Sequence, residues 1–299
     1  MRDGRWRPVR RRRPQARGSS RGLGRALVTA ALDAGHLTVA TARRPEQLGG
    51  LVARYGERVL PVALDVTDAA GARAAVAAAV DRFGRIDVLV NNAGYANVSP
   101  VETTDDDDFR TQFETNFWGV YHVTRAALPV LRAQRGGTVV QVSSVGGRVG
   151  GSPGIASYQA AKFAVDGFSR ALAVETAPFG VRVMVVEPSG FATDWAGASM
   201  TVRPVPAAYE ETVGLMNRRM RQSDAGAAGD PRRAARIVVE AAGREVPPSH
   251  LLLGVNAVEM ATAYSRRQLA QAAAWEKVSR SADFAEPCPA PFPPDEAAA

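Results

Sequence analysis

Cysteine is nearly missing from this 299-residue sequence: Cys288, in a proline-rich C-terminal stretch, is the only one. A single thiol cannot build an intramolecular disulfide framework, and it fits a reducing, cytoplasmic compartment. Histidine is scarce too, and His36, His122 and His250 are too scattered to form a metal-ligand motif, so no metal is expected. No apolar run approaches the roughly 20 residues that a membrane-spanning helix needs, which excludes a membrane partner of that kind. Internal repeats are lacking. Lysine is the most telling shortage: Lys162 and Lys277 stand alone among 37 basic residues, the rest being arginine.

What is present suffices for a large core. Hydrophobic residues make up 46% of the chain, enough for one α/β domain or two smaller ones. Charge is distributed unevenly. The net +7 rests on Arg2, Arg5, Arg7, Arg10, Arg11, Arg12, Arg13 and Arg17, all ahead of Gly18, and the remainder is close to neutral.

The mid-chain lysine stands four residues after Tyr158. If residues 155–175 are helical, the two side chains share a face, one turn apart. An ammonium close to a phenol favours the phenolate and lowers its pKa from about 10, which tunes a proton donor. With six tyrosines and two lysines, chance supplies a Tyr-x-x-x-Lys only about 0.04 times. Arginine cannot easily replace a compact point charge that tunes a neighbour and reaches sugar hydroxyls. Upstream, the strand TVVQVSS ends on Ser143 and Ser144, of which alternation lets only one face the tyrosine.

Elsewhere helical and extended patterns alternate. Gly18-Ser19-Ser20-Arg21-Gly22-Leu23-Gly24 runs into the helical RALVTAALDAG, a glycine turn that lets a phosphate approach backbone N–H groups at a helix N-terminus. Strands follow at 36–42 and at 59–64, the second ending at Asp65, then an alanine-rich helix at 69–83. The strand IDVLV leads into Asn91-Asn92-Ala93-Gly94. The acidic run 105–108 reads as the first turn of a helix, where caps and negative charge are stabilising, and not as a site. Within that helix Asn116 is a polar amide among Phe113, Phe117 and Trp118, and a buried amide needs partners.

Gly18-x-x-x-Gly22-x-Gly24, Asn116, Ser144, Tyr158 and Lys162 together resemble the short-chain dehydrogenase/reductase family, over roughly residues 18–284. The resemblance implies an NAD(P)-dependent oxidoreductase acting on a carbonyl or alcohol. It implies one doubly wound Rossmann-type α/β domain, with a parallel seven-stranded sheet, helices on both faces and a helical substrate lid. By the same resemblance Ser144, Tyr158, Lys162 and Asn116 are the catalytic group, with Ser144 chosen over Ser143 by its spacing from Asn116. Asp65 falls near the adenine, Asn92, Ala93 and Gly94 beside the cofactor, and Thr193 at the carboxamide. Tyr158 and Lys162 also hold the nicotinamide ribose. Where the family's NAD-selective acid would fall the chain has Ala42, followed by Arg43 and Arg44, and Arg21 matches a second basic position. An acid binds ribose hydroxyls whereas arginine binds a 2′-phosphate, so NADP(H) is favoured over NAD(H). Phe191, Trp195 and Met200 open an apolar stretch in the lid region, about 191–230, which suggests a lipophilic small-molecule substrate. A homo-oligomer is the family's habit. A catalytically silent NADP-sensing protein would share the fold, and so would a family member impaired by its altered N-terminal strand.

Residues 1–17 fit the pattern poorly. The strand before a glycine turn is central and buried on both faces, yet the chain reads VRRRRPQA there. Proline cannot donate to a ladder and buried arginines are costly to desolvate. A basic arm, a targeting segment and a reading-frame slip upstream of Gly18 are all open. A twin-arginine signal would need an apolar segment that does not follow, and a basic run alone does not specify nucleic-acid binding. Residues 285–299, rich in Pro, Ala and Glu, read as a disordered tail.

Overall fold

The computed structural model describes residues 18–193, 195, 200–223, 229–285 and 292. The basic arm 1–17, most of the tail and parts of the lid stretch lie outside the described residues. Beyond the glycine turn comes α1 (Gly22–Asp33), followed by β1 (Thr38–Ala42), α2 (Gly49–Tyr55), β2 (Val59–Ala63), α3 (Ala69–Phe83) and β3 (Val88–Asn91). Next come α4 (Asp106–Phe113), a π-helical turn (Glu114–Trp118), α5 (Gly119–Gln134) and β4 (Gly137–Val142). The short α6 (Gly146–Val149) precedes α7 (Ala156–Thr176) and β5 (Val181–Pro188). The chain continues through α8 (Leu215–Ser223), α9 (Pro231–Ala242), β6 (His250–Leu253), α10 (Val255–Ala274) and α11 (Glu276–Arg280).

Local chemistry sets many of these boundaries. Asp68 caps α3 by accepting from Ala70 N, and Gly84 ends it in the left-handed region at φ 77°. Asp105 caps α4 the same way through Asp107 N, so the acidic run is a helix start. Asp230 and Pro231 open α9 as cap and first residue.

All strand pairs are parallel, and helices cover both faces. Val140, Met184 and Val186 of β4 and β5 pack with Leu27 of α1 and Ala235 and Val238 of α9. Their neighbours Val139, Val181 and Val183 point the other way, onto Ala127 and Leu131 of α5 and Leu172 of α7. A strand buried on both faces must be apolar at consecutive positions, which is how VRVMVV reads.

The expected seven strands are not all found. Six are described, as a pair β1-β2 and a separate sheet in the order β3-β4-β5-β6. The missing strand was expected among residues before Gly18, outside the described residues, where arginines and proline suit a buried strand badly. Backbone from the glycine turn links the two sheets at their C-terminal ends. Ser19 N donates to Thr41 O at 2.8 Å, and Gly24 fits so closely that an added Cβ would lie 2.6 Å from Asn92 Nδ2, at the end of β3.

Candidate active site

Helix α7 presents Tyr158 and Lys162 inward, both buried. The lysine Nζ lies 5.7 Å from the tyrosine ring centroid and donates to Val142 O, at the end of β4, at 2.7 Å. Two residues beyond that strand, the Ser144 side chain lies beside the Tyr158 hydroxyl, where it favours the ionised phenol, and accepts from Gly146 N at 3.1 Å. Ser143 turns away, its Oγ donating to Lys162 O at 3.2 Å. Alternation along the strand thus divides the serines as the sequence requires.

Asn116 sits in the π-helical turn and is fully buried. Its Nδ2 donates to Tyr95 O at 2.9 Å and Gln112 O at 2.8 Å, and its Oδ1 accepts from Tyr95 N at 3.1 Å. A Cβ added to Gly94 would stand 2.7 Å from Asn116 Oδ1 and 3.4 Å from Lys162 Nζ. Only glycine lets the amide and the ammonium converge there. The four residues proposed as catalytic therefore meet in one place.

Their electrostatics differ from the expectation drawn from spacing. Burial pushes the Tyr158 phenol up to about 12, opposed by the adjacent Ser144 side chain. Burial also brings the Lys162 ammonium down to about 8. A four-residue spacing brings the groups close but says nothing about desolvation, which dominates here. The lysine spends its bond on a carbonyl and not on the phenolic oxygen.

The glycine turn is shaped to receive a phosphate. Helix α1 begins at Gly22, at φ 56°, after Arg21, whose side chain makes no capping hydrogen bond. First-turn N–H groups therefore remain without a side-chain cap. Thr193 closes the other side, its methyl 3.7 Å from where a Gly22 Cβ would stand. Leu23 turns inward and packs on the core under the turn. An added Cβ at Gly18 would lie 2.4 Å from Thr41 O, and at Gly24 2.4 Å from Gly18 O. Such a cradle, with the helix dipole behind it, fits a dinucleotide pyrophosphate. Gly24→Ala is accordingly expected to destabilise the fold by about 1–3 kcal/mol and to lower nucleotide affinity. Thermal melts and cofactor titration check this, and unchanged values in both would contradict the packing argument.

Next to the turn, Arg43 follows the buried Ala42 at the end of β1. Burial lowers its pKa, Asp65 raises it, and Arg44 and Arg21 lower it further, so four charged groups act on one another here. Asp65 is exposed and its Oδ1 accepts from Thr67 N and Oγ1, at 3.1 and 2.8 Å. Its carboxylate shapes a turn. Asn92, Ala93 and Gly94 are half-buried between this region and the catalytic group.

Trp195 stacks obliquely on Tyr158, centroids 5.3 Å apart. Met200, Val202, Val205, Tyr209 and Met220 join it around Tyr158, Ile155 and Val213. Phe191 lies elsewhere, against the core formed by α1, α9 and the sheet. It anchors the base of the stretch, while Trp195 and Met200 reach the tyrosine.

Several groups in and around the site carry no sequence signal. Arg148, four residues past Ser144, pairs with buried Glu187, its Nε–H shared between the two carboxylate oxygens at 3.1 and 2.9 Å. Asp166, one turn past Lys162, meets His250 at 2.7 Å and Arg170 at 2.8 Å. Asp166, Glu187 and His250 bring donor atoms within 4.8 Å of one another, and the two arginines balance both carboxylates. Beneath the site Asn91 donates to Thr124 and Gln141, each at 2.9 Å.

Comparisons with known proteins agree with this geometry. The family model for short chain dehydrogenases matches residues 17–202. Oxidoreductase BOA17 of Botryotinia fuckeliana is 49% identical over 263 residues, covering 88% of this chain and 96% of that protein. Among solved structures, a short-chain dehydrogenase from Streptomyces avermitilis is 40% identical with TM-score 0.82, covering 89% of this chain and 97% of the other. A 3-ketoacyl-(acyl-carrier-protein) reductase from Brucella melitensis, solved with NADH, is 26% identical with TM-score 0.66, covering 80% and 93%.

Proposed function

Since the chain belongs to the short-chain dehydrogenase family and is an oxidoreductase, we propose that it interconverts a lipophilic ketone and its secondary alcohol with NADP(H). The observation that carries this reading is the convergence of the Ser144 and Tyr158 side chains in an apolar pocket with Lys162 one turn away. A bound nicotinamide dinucleotide supplies the hydride. Gly18, Gly22, Gly24 and Thr193 would hold it, with Asn92, Ala93, Gly94, Tyr158 and Lys162 along its nicotinamide half and Asp65 towards the adenine.

The protein's own groups handle the proton. Tyr158, held above its ordinary pKa by burial, keeps its proton at neutral pH and gives it to the carbonyl oxygen, while Ser144 hydrogen-bonds the same oxygen. The Lys162 ammonium, 5.7 Å from the ring centroid, offsets the phenolate charge left behind. Burial brings the Lys162 pKa down to about 8, so above that pH the charge that favours phenolate is lost and reduction is expected to weaken.

Arg43, Arg21 and Arg44 acting on one another, with the apolar Ala42 in place of an acid, support NADP(H). Hydrogen bonds to charged groups contribute about 1.5–3 kcal/mol, so Arg43→Ala is expected to weaken NADPH binding by about 10- to 100-fold and leave NADH nearly unaffected. Fluorescence titration reads this, and equal weakening of both nucleotides would remove the NADP(H) preference. The activity itself is tested by NADPH oxidation with a panel of apolar ketones. No turnover with any of them would count against the lipophilic substrate.

Exposed apolar side chains at Trp118, Phe163 and Val174 support association of copies through the α5 and α7 surface. Among the described residues no helix is long and apolar enough to cross a membrane. Together with the lone cysteine this is compatible with the proposed cytoplasmic setting.

A further inference from the structure

One buried segment, Tyr95 to Ser99, runs directly from the catalytic group to the lid. At its start, Tyr95 holds both ends of the Asn116 amide. At its far end Val98 pairs with the lid, its N donating to Thr201 O and its O accepting from Arg203 N, each at 2.9 Å. Asn97 lies between and is 5% exposed. Its Oδ1 accepts from Thr201 N at 3.0 Å, its Nδ2 donates to Asp108 Oδ1 at 2.7 Å, and its N donates to Gln112 Oε1 at 3.1 Å. Gln112 in turn accepts from Asn116 Nδ2 through its backbone carbonyl at 2.8 Å.

We propose that Asn97 is a positioning residue that joins lid docking at Thr201 to the placement of Asn116 beside Lys162, so that the lid and the proton-handling group order together. A lid bonded to the rim alone would leave Asn116 indifferent to it. Here one amide receives the lid's N–H and, through Asp108 and Gln112, braces the turn that carries Asn116. The consequence for turnover rests on the catalytic reading of Asn116 and Lys162, but the coupling can be read without substrate, so the two can fail separately.

The scarcity of lysine makes the test direct, since isotope-labelled lysine gives NMR signals from Lys162 and Lys277 alone. Around Lys162 Nζ, β4 presents the Val142 carbonyl, the π-helical turn presents the Asn116 amide, and the facing ionisable group is Tyr158. Its titration therefore reports hydration of the pocket. Asn97→Ala removes the side-chain bonds to Thr201 N and Asp108 and keeps the backbone bond to Gln112. Thr201→Pro removes the lid's N–H at an exposed position and leaves the buried Asn97 and Gln112 side chains unchanged, so it stands even if the first variant folds poorly.

In both variants the Lys162 midpoint is expected to move up from about 8 towards 10.5. The expected rise is about 1, the size of a typical coupling between sites. The double variant is expected to move no further than either single one. A Thr201→Pro protein whose Lys162 titrates as in the parent, or rises that simply add in the double variant, would overturn the proposal.

Discussion

Tyr158→Phe is expected to lower turnover by about 10²- to 10⁴-fold, the usual contribution of a positioned proton donor, while NADPH binds almost as before. The ring stays, and with it the packing on Trp195 and the apolar pocket. Only the hydroxyl beside Ser144 is removed. Ser144 keeps its bond from Gly146 N, so the loop does not lose its shape. The glycine turn and the Arg43 cluster are untouched. Loss of turnover with retained binding separates a chemical role from a folding defect. Parental turnover in this variant would remove Tyr158 from the mechanism.

Arg148→Ala is expected to destabilise the fold by about 3–5 kcal/mol, the cost of leaving one partner of a buried ion pair uncompensated. The two ends of the pair are unequal. Arg148 keeps 23% of its side chain exposed and could turn to water if Glu187 were replaced, whereas Glu187 is 1% exposed and cannot. Glu187→Gln should therefore cost less than Arg148→Ala. Burial already raises the Glu187 pKa against the pull of Arg148. A carboxylate whose folded pKa is raised penalises folding increasingly as pH rises, so the defect of Arg148→Ala shrinks in acid. Asp166 behaves oppositely: despite its burial, bonds from Arg170 and His250 hold its pKa low. Its stabilisation is complete above the ordinary carboxylate value of 3.8 and is lost as pH falls below it. Denaturant unfolding across pH checks both directions, and equal costs for the two Glu187–Arg148 variants would contradict the asymmetry.

Features legible in the sequence were local ones. The glycine turn, the Asp105 and Asp230 caps, the Tyr158–Lys162 spacing and the division of Ser143 from Ser144 each depend on residues within a few positions, where period and turn chemistry decide. What escaped is held by distance. Arg148 and Glu187 are 39 residues apart, Asp166 and His250 are 84 apart, and Asn97 and Thr201 are 104 apart. No spacing rule connects them. The π-helical turn at Asn116 also left no mark in residue types. Burial explains the largest reversal: proximity of Lys162 suggested a lowered Tyr158 pKa, and desolvation raises it instead. Phe191 belonged to an apolar stretch that the sequence could not divide between core and lid. The strand count was an expectation for VRRRRPQA that its residues resist, and the described sheet falls into two parts.

The central claim, that the glycine turn and the Arg43 cluster form an NADP(H) site on a cooperatively folded domain, is tested most directly by thermal unfolding of the full chain with and without NADPH and NADH. A ligand at about 100 times its dissociation constant stabilises the folded state by about 2.7 kcal/mol, which corresponds to a rise of roughly 5–10 °C for a domain of this class. One cooperative transition, raised more by NADPH than by NADH, is the expected result. A transition that neither nucleotide moves, or no cooperative transition at all, would contradict it.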